Sequence, residues 1–177
     1  MVQGNLKSPV TLIVGVTGMA GVSVTDALKN LRALGGPWTI YGVSGRPLPT
    51  WFPPSLLDKH HSLNNLNQED TKKLLSSLSS QITHVCWVTI SVGESEEVNI
   101  FLNSTMISNV LNALTSTQDS KLRHVTLQTG TKQYIGLFLT HPFQLNLSPM
   151  KHPSKRTTLD YHFQNSTMLW KTLYRPT

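Results

Sequence analysis

Residues 11–21 read Thr11-Leu-Ile-Val-Gly15-Val-Thr-Gly18-Met-Ala-Gly21. The apolar run Thr11–Val14 has the β-branched character of a strand buried on both faces. It breaks into glycines spaced G-x-x-G-x-x-G. After them Val24, Ala27, Leu28, Leu31 and Leu34 recur at helical spacing until Gly35-Gly36-Pro37 stops the helix. A strand that turns through glycines into a helix lets backbone N–H groups approach a pyrophosphate. The helix N-terminus adds a favourable partial charge. This arrangement marks a dinucleotide site, and Gly15, Thr17, Gly18, Met19 and Gly21 are its candidate contacts.

Outward from this turn the alternation continues. Trp38–Val43 reads as a second strand, Lys72 to Leu78 as a helix, and Val85–Thr89 as a third strand. Glu94 to Leu114 reads as a long helix with Val98, Phe101, Leu102, Met106, Val110 and Leu114 on its apolar stripe. His124–Gln128 is a fourth strand. Strands alternating with helices predict a parallel, doubly wound α/β sheet of Rossmann type, with right-handed crossovers. Trp38 and Trp87 are expected in the core. The pair His60-His61 is expected in a solvated loop and not at a metal.

The end of the second strand selects the cofactor. An acid there would hold the 2′-hydroxyl of NAD, whereas an arginine accommodates the 2′-phosphate of NADP. The chain reads Val43-Ser-Gly-Arg46 with no acid nearby, so Arg46 is the candidate phosphate clamp, against a merely solvated arginine. Thr89 and Gln128, ending the third and fourth strands, fall on the carboxyl edge where such sheets bind ligands. Lys132 follows on the same edge, where a lysine can orient a nicotinamide ribose and polarise a hydroxyl; from spacing alone a surface lysine is the default reading.

Five strings carry a resemblance: LIVGVTGMAG, GGPWTIYGVSGRPLPTW, THVCWVTI, FLNSTMISNVLNAL and LRHVTLQTGTKQYIG. Over residues 9 to 136 the chain resembles the progesterone 5β-reductase and iridoid synthase-like branch of the extended short-chain dehydrogenases/reductases. The resemblance implies NADPH as hydride donor and an enone or enal as the small-molecule substrate. It implies that Thr17, Gly18 and Met19 hold phosphates, and that Thr89 and Gln128 contact the cofactor. Lys132, in TGTKQY, matches the family's catalytic lysine. Two departures stand out. Gly45 replaces the first of two arginines usual beside Arg46, and Asn65-Leu66 falls where an aspartate usually meets the adenine. The family's catalytic tyrosine, in a Tyr-Tyr-x-x-Glu-Asp stretch, has no counterpart in residues 1–177.

Residues 137–177 show neither strand nor helix period and are rich in Pro, His, Ser and Thr, which is uncommon for so long a segment. Five of the chain's 15 Lys and Arg lie there against Asp160 alone, so the formal net charge of +6 belongs largely to this tail and does not indicate nucleic acid. Re-reading each codon from its third base gives a cause. Ser166–Lys171 then permits Tyr-Tyr-Ala-Leu-Glu-Asp, and the glutamate is forced because Trp ends in G and Lys begins with AA. His152–Thr157 likewise permits Pro-Phe-Lys-Glu-Asp, which the family carries shortly before its tyrosine helix. The expectation is an NADP-binding domain over 1–136 and an irregular, out-of-frame tail over 137–177. Tyr134 and Tyr161 are poor substitutes for the missing tyrosine.

The chain holds one cysteine, Cys86, so no internal disulfide forms, and no stretch approaches a membrane span. A cytoplasmic location is expected. Two functions compete: an enone reductase by descent, impaired for want of its tyrosine, and a non-catalytic NADP(H)-binding module that associates with full-length relatives. Enone turnover separates them.

Overall fold

The computed structural model describes residues 8–30 and 36–129. Leu31, Leu34 and Gly35 lie outside these residues, as do Lys132, Tyr134, Tyr161 and the whole of 137–177. Five strands are present: β1 (Val10–Val14), β2 (Thr39–Ser44), β3 (Lys59–Ser62), β4 (His84–Trp87) and β5 (His124–Leu127). They form one sheet in the order β3-β2-β1-β4-β5, and each neighbouring pair is parallel. The helices are α1 (Met19–Asn30), α2 (Gln68–Ser76) and α3 (Glu96–Thr115).

Strand parity sorts the core into two layers. Leu12 and Val14 of β1, Tyr41 and Val43 of β2, and Val85 and Trp87 of β4 join Leu75 of α2 and Met106, Val110 and Leu114 of α3. The residues between them, Ile13, Ile40 and Cys86, join Val22, Val24 and Leu28 of α1 and Phe52 on the opposite face. Helices on both faces of a parallel sheet are the doubly wound α/β arrangement predicted from the alternation. Burial of both sheet faces explains why β1 is a continuous apolar run. Gly42 serves this packing directly, because a Cβ there would stand 2.8 Å from a methyl of Val16.

Several local expectations change. Residues 59–62 form an edge strand and not a loop: His60 and His61 pair beside Gly42 and Val43 of β2. Neither histidine carries the apolar alternation that announces a strand, so the pairing comes from the neighbouring backbone. Helix α2 starts four residues earlier than its apolar pattern. The Asn67 side chain accepts from the amides of Glu69 and Asp70, closing the N-terminus as a cap. On α3, Val98 and Phe101 are 40% and 65% exposed, while Asn103 and Asn109 are buried. A period count assigns polarity to faces, but here two amides find backbone partners inside. Trp87 is fully buried, as expected. Trp38 is half-buried against the α1-side core, with its ring edge-on to His84.

Helix α1 is anchored by Lys29, whose Nζ donates to Asp58 Oδ2 at 2.8 Å, while the Ile40 amide donates to the same oxygen at 2.7 Å. Burial opposes the charged carboxylate of Asp58, but these hydrogen bonds and the lysine charge outweigh it and hold the carboxyl below its ordinary range.

Candidate functional site

A cleft of about 570 Å³ opens at the carboxyl ends of β1, β2 and β4. Its floor is the β1–α1 turn. Gly15 sits at φ +93°, a region L side chains rarely adopt, and a Cβ there would lie 2.7 Å from Thr89 Cβ. Its amide donates to the Val43 carbonyl at 2.9 Å, which ties the turn to β2. Gly18 closes the turn with its amide on the Gly15 carbonyl at 3.0 Å. Gly21, one turn into α1, is buried against the carbonyls of Gly15 and Val16, so the helix seats directly on the turn. No acidic residue occupies the first turn of α1, whereas α2 begins with Glu69 and Asp70 and α3 with Glu96 and Glu97. The positive end of the α1 dipole at the cleft is thus free of side-chain carboxylates from its own first turn.

Gly15, Thr17, Gly18, Arg46, Asn65 and Thr89 all line this cleft, together with Ser44, Gly45, Asn64 and Ser91. Arg46 supplies charge to a lining that includes no carboxylate among the described residues. Gly45 is exposed, and a Cβ there would meet nothing within 4 Å. Asn65 is 7% exposed and its Oδ1 is buried without a hydrogen-bond partner. Such an orphaned acceptor is costly unless a donor reaches it. An amino group on a bound ring is a donor of that kind.

Four expected contacts lie outside the lining. Met19, the first residue of α1, is 90% exposed. Gly21 acts by packing. Leu66 packs against the α2–α3 core, and Asn64 takes its place in the cleft wall. Gln128 is exposed one residue past β5, with its amide on the Trp87 carbonyl at 2.8 Å. The candidate catalytic residue, Lys132, falls beyond the described residues.

The buried asparagines of α3 hold two walls of the cleft. Asn103 accepts from the Ser91 amide at 2.8 Å and donates to the Ser91 carbonyl at 2.7 Å. Asn109 donates to the Asn65 carbonyl at 2.9 Å and to that of Leu66 at 3.3 Å. Each fixes a loop that follows a strand. Neither asparagine belongs to the apolar stripe expected of this helix, although an asparagine buried on an apolar helix needs a partner, and that need is itself a signal.

Among the described residues no group of three or more His, Cys, Asp or Glu comes together as a metal site. No described helix is long and apolar enough to cross a membrane. The Cys86 thiol is half-buried, and burial pushes its pKa up, which disfavours the reactive thiolate.

No protein-family model matches the chain. By sequence it is 44% identical over 129 residues to a 3-oxo-Δ(4,5)-steroid 5-beta-reductase of Arabidopsis thaliana, covering 73% of this chain and 32% of that protein. It is 41% identical, with the same coverage, to an (S)-8-oxocitronellyl enol synthase of Camptotheca acuminata. The chain thus spans about one third of the length of these relatives. A short-chain dehydrogenase/reductase superfamily protein of Agrobacterium tumefaciens, crystallised with bound NAD, matches at a TM-score of 0.50 and 16% identity, over 71% of this chain and 34% of that one. That likeness supports the fold. The N-terminal part of this chain is therefore related in sequence to the progesterone 5β-reductase and iridoid synthase-like branch of the extended short-chain dehydrogenases/reductases.

Proposed function

We propose that this chain binds NADP(H) in the β1–α1 cleft and descends from a reductase of activated carbon–carbon double bonds in enones or enals. The observation that carries the reading is the placement of Arg46 and the glycine turn on one cleft, with the α1 N-terminus at its floor. The N–H groups of the turn suit a pyrophosphate, and Arg46 at the end of β2 suits a 2′-phosphate. The unpartnered Oδ1 of Asn65 suits the exocyclic amino group of adenine. Thr89 closes the wall beside Gly15. These residues fit the cofactor, which when bound supplies a hydride.

Turnover requires more. Lys132 is the residue we assign to orient the nicotinamide ribose and assist a proton donor at the developing enolate oxygen. The tyrosine that plays that donor role in the family is missing from residues 1–177. We assign residues 1–136 to cofactor binding and read 137–177 as an out-of-frame tail. The functional conclusion is cofactor binding with impaired or absent reduction, in the cytoplasm. An assay of NADPH oxidation with methyl vinyl ketone, using the full chain and a Lys132→Ala control, tests it. The expected result is no oxidation above the control. Turnover that the substitution abolishes would overturn it and restore the chain to the active reductases.

The second reading is a binding module that associates with full-length relatives. Exposed Ile90 and Val92 of the β4–α3 connection, with exposed Val98 and Phe101 of α3, favour it, since these apolar side chains are open to burial against a partner. Co-purification of a full-length relative with the tagged chain checks it.

A further inference from the structure

His60 of β3, which the cofactor reading leaves unused, reaches the cleft through Ser44. The Ser44 hydroxyl donates to the Arg46 carbonyl at 2.5 Å and lies 2.8 Å from His60 Nε2. A hydroxyl has one proton. With that proton on the Arg46 carbonyl, the contact with the ring must be a donation from Nε2–H to the serine oxygen. This fixes the His60 tautomer and builds a directed chain from His60 to Ser44 to the Arg46 carbonyl.

The chain acts on a segment with one soft joint. Ser44 is the last residue of β2 and is 5% exposed, so its backbone is held by the sheet. Arg46 precedes Pro47, which confines it to extended backbone. Between them stands Gly45, with no side chain and nothing around the position where a Cβ would be. Left alone, rotation about Gly45 would swing the Arg46 guanidinium through a wide arc. The Ser44–Arg46 hydrogen bond closes that joint, and His60 holds Ser44 in the rotamer that makes it.

We infer that His60, acting through Ser44, is a positioning residue for Arg46 and so sets the preference for a 2′-phosphorylated over an unphosphorylated dinucleotide. This rests on the NADP(H) reading above and extends it to a residue outside the cleft lining. The same lock explains how a single arginine beside a glycine holds a phosphate: the turn is pre-organised, so ordering it on binding costs less.

The test is the affinity of the full chain for NADPH and for NADH by calorimetric titration, in the wild type, Arg46→Ala, His60→Phe, Ser44→Ala and the double variant S44A/G45A. Phenylalanine keeps a planar aromatic ring at this position, somewhat larger than imidazole, and removes the donor. The expected result is a loss of about fivefold in NADPH affinity for His60→Phe, as for one hydrogen bond, with NADH affinity kept within about twofold. Ser44→Ala should lose the same preference. Stiffening the joint in S44A/G45A should recover part of it, which a residue that merely filled space would not do. Equal loss of both cofactors in His60→Phe overturns the inference, as does an unchanged NADPH preference in a chain where Arg46→Ala abolishes it. A wild type without NADPH preference, or one that Arg46→Ala leaves intact, refutes the cofactor reading instead.

Discussion

Two glycines at the cleft make opposite demands on a side chain. Gly15 combines φ +93° with a would-be Cβ 2.7 Å from Thr89, so strain and overlap act together. Gly15→Ala is expected to destabilise the fold by about 1–3 kcal/mol, read from the midpoint of urea unfolding. Gly45 has open space and no positive φ. Gly45→Ala should therefore change stability by less than about 0.5 kcal/mol in the same measurement. A reversed ranking would show that the β1–α1 turn is not held as described.

At the scale of elements, helix α3 acts as a bracket. Its Asn109 satisfies the carbonyls of Asn65 and Leu66 from a buried position. Asn109→Leu leaves both without that donor and is expected to cost about 1–3 kcal/mol in unfolding free energy. It should also weaken NADPH binding, because the wall carrying Asn65 loosens. Retained affinity would separate that wall from the cofactor.

The edge and inner strands carry a titration of their own. Burial lowers the pKa of His84, helped by the charges of His124 opposite it in β5 and of Arg123. His60 and His61 of β3 are lowered too, first by burial and then by the charge of His61 and of Lys59 respectively. Each group is a base whose folded pKa lies below its unfolded value. The stability it contributes is present above about pH 6.5 and is lost as pH falls through the folded pKa. The melting temperature should fall from pH 7.5 to pH 5.5, and His84→Asn should flatten the slope in part, with β3 retaining the remainder. A slope of opposite sign would contradict the burial of these rings.

For the whole molecule, the cleft draws on β2, α3 and the loops that follow β1, β2, β3 and β4, so a ligand there bridges segments distant in the chain. A cofactor at about 100 times its Kd adds about 2.7 kcal/mol to folding. For a chain of this size that raises Tm by about 5–10 °C in a thermal melt. NADPH should produce this shift, and Arg46→Ala should reduce it. An unchanged melt with saturating NADPH would argue against a site in this cleft.

The amino-acid sequence by itself determined the parallel α/β alternation, the glycine turn, and the positions of Arg46 and Thr89. Each of these rests on local chemistry: a buried run, a backbone only glycine allows, a charge at a strand end. Only the tertiary structure decided that His60 and His61 form a strand, because edge pairing borrows its partners from β2 and leaves no apolar period. It alone placed Asn64 at the cleft in place of Leu66, and turned Asn103 and Asn109 inward while Val98 and Phe101 face out. The inward turn of Asn103 and Asn109 depends on backbone groups distant in the chain, whose N–H and C=O require polar partners that the apolar stripe of α3 does not announce.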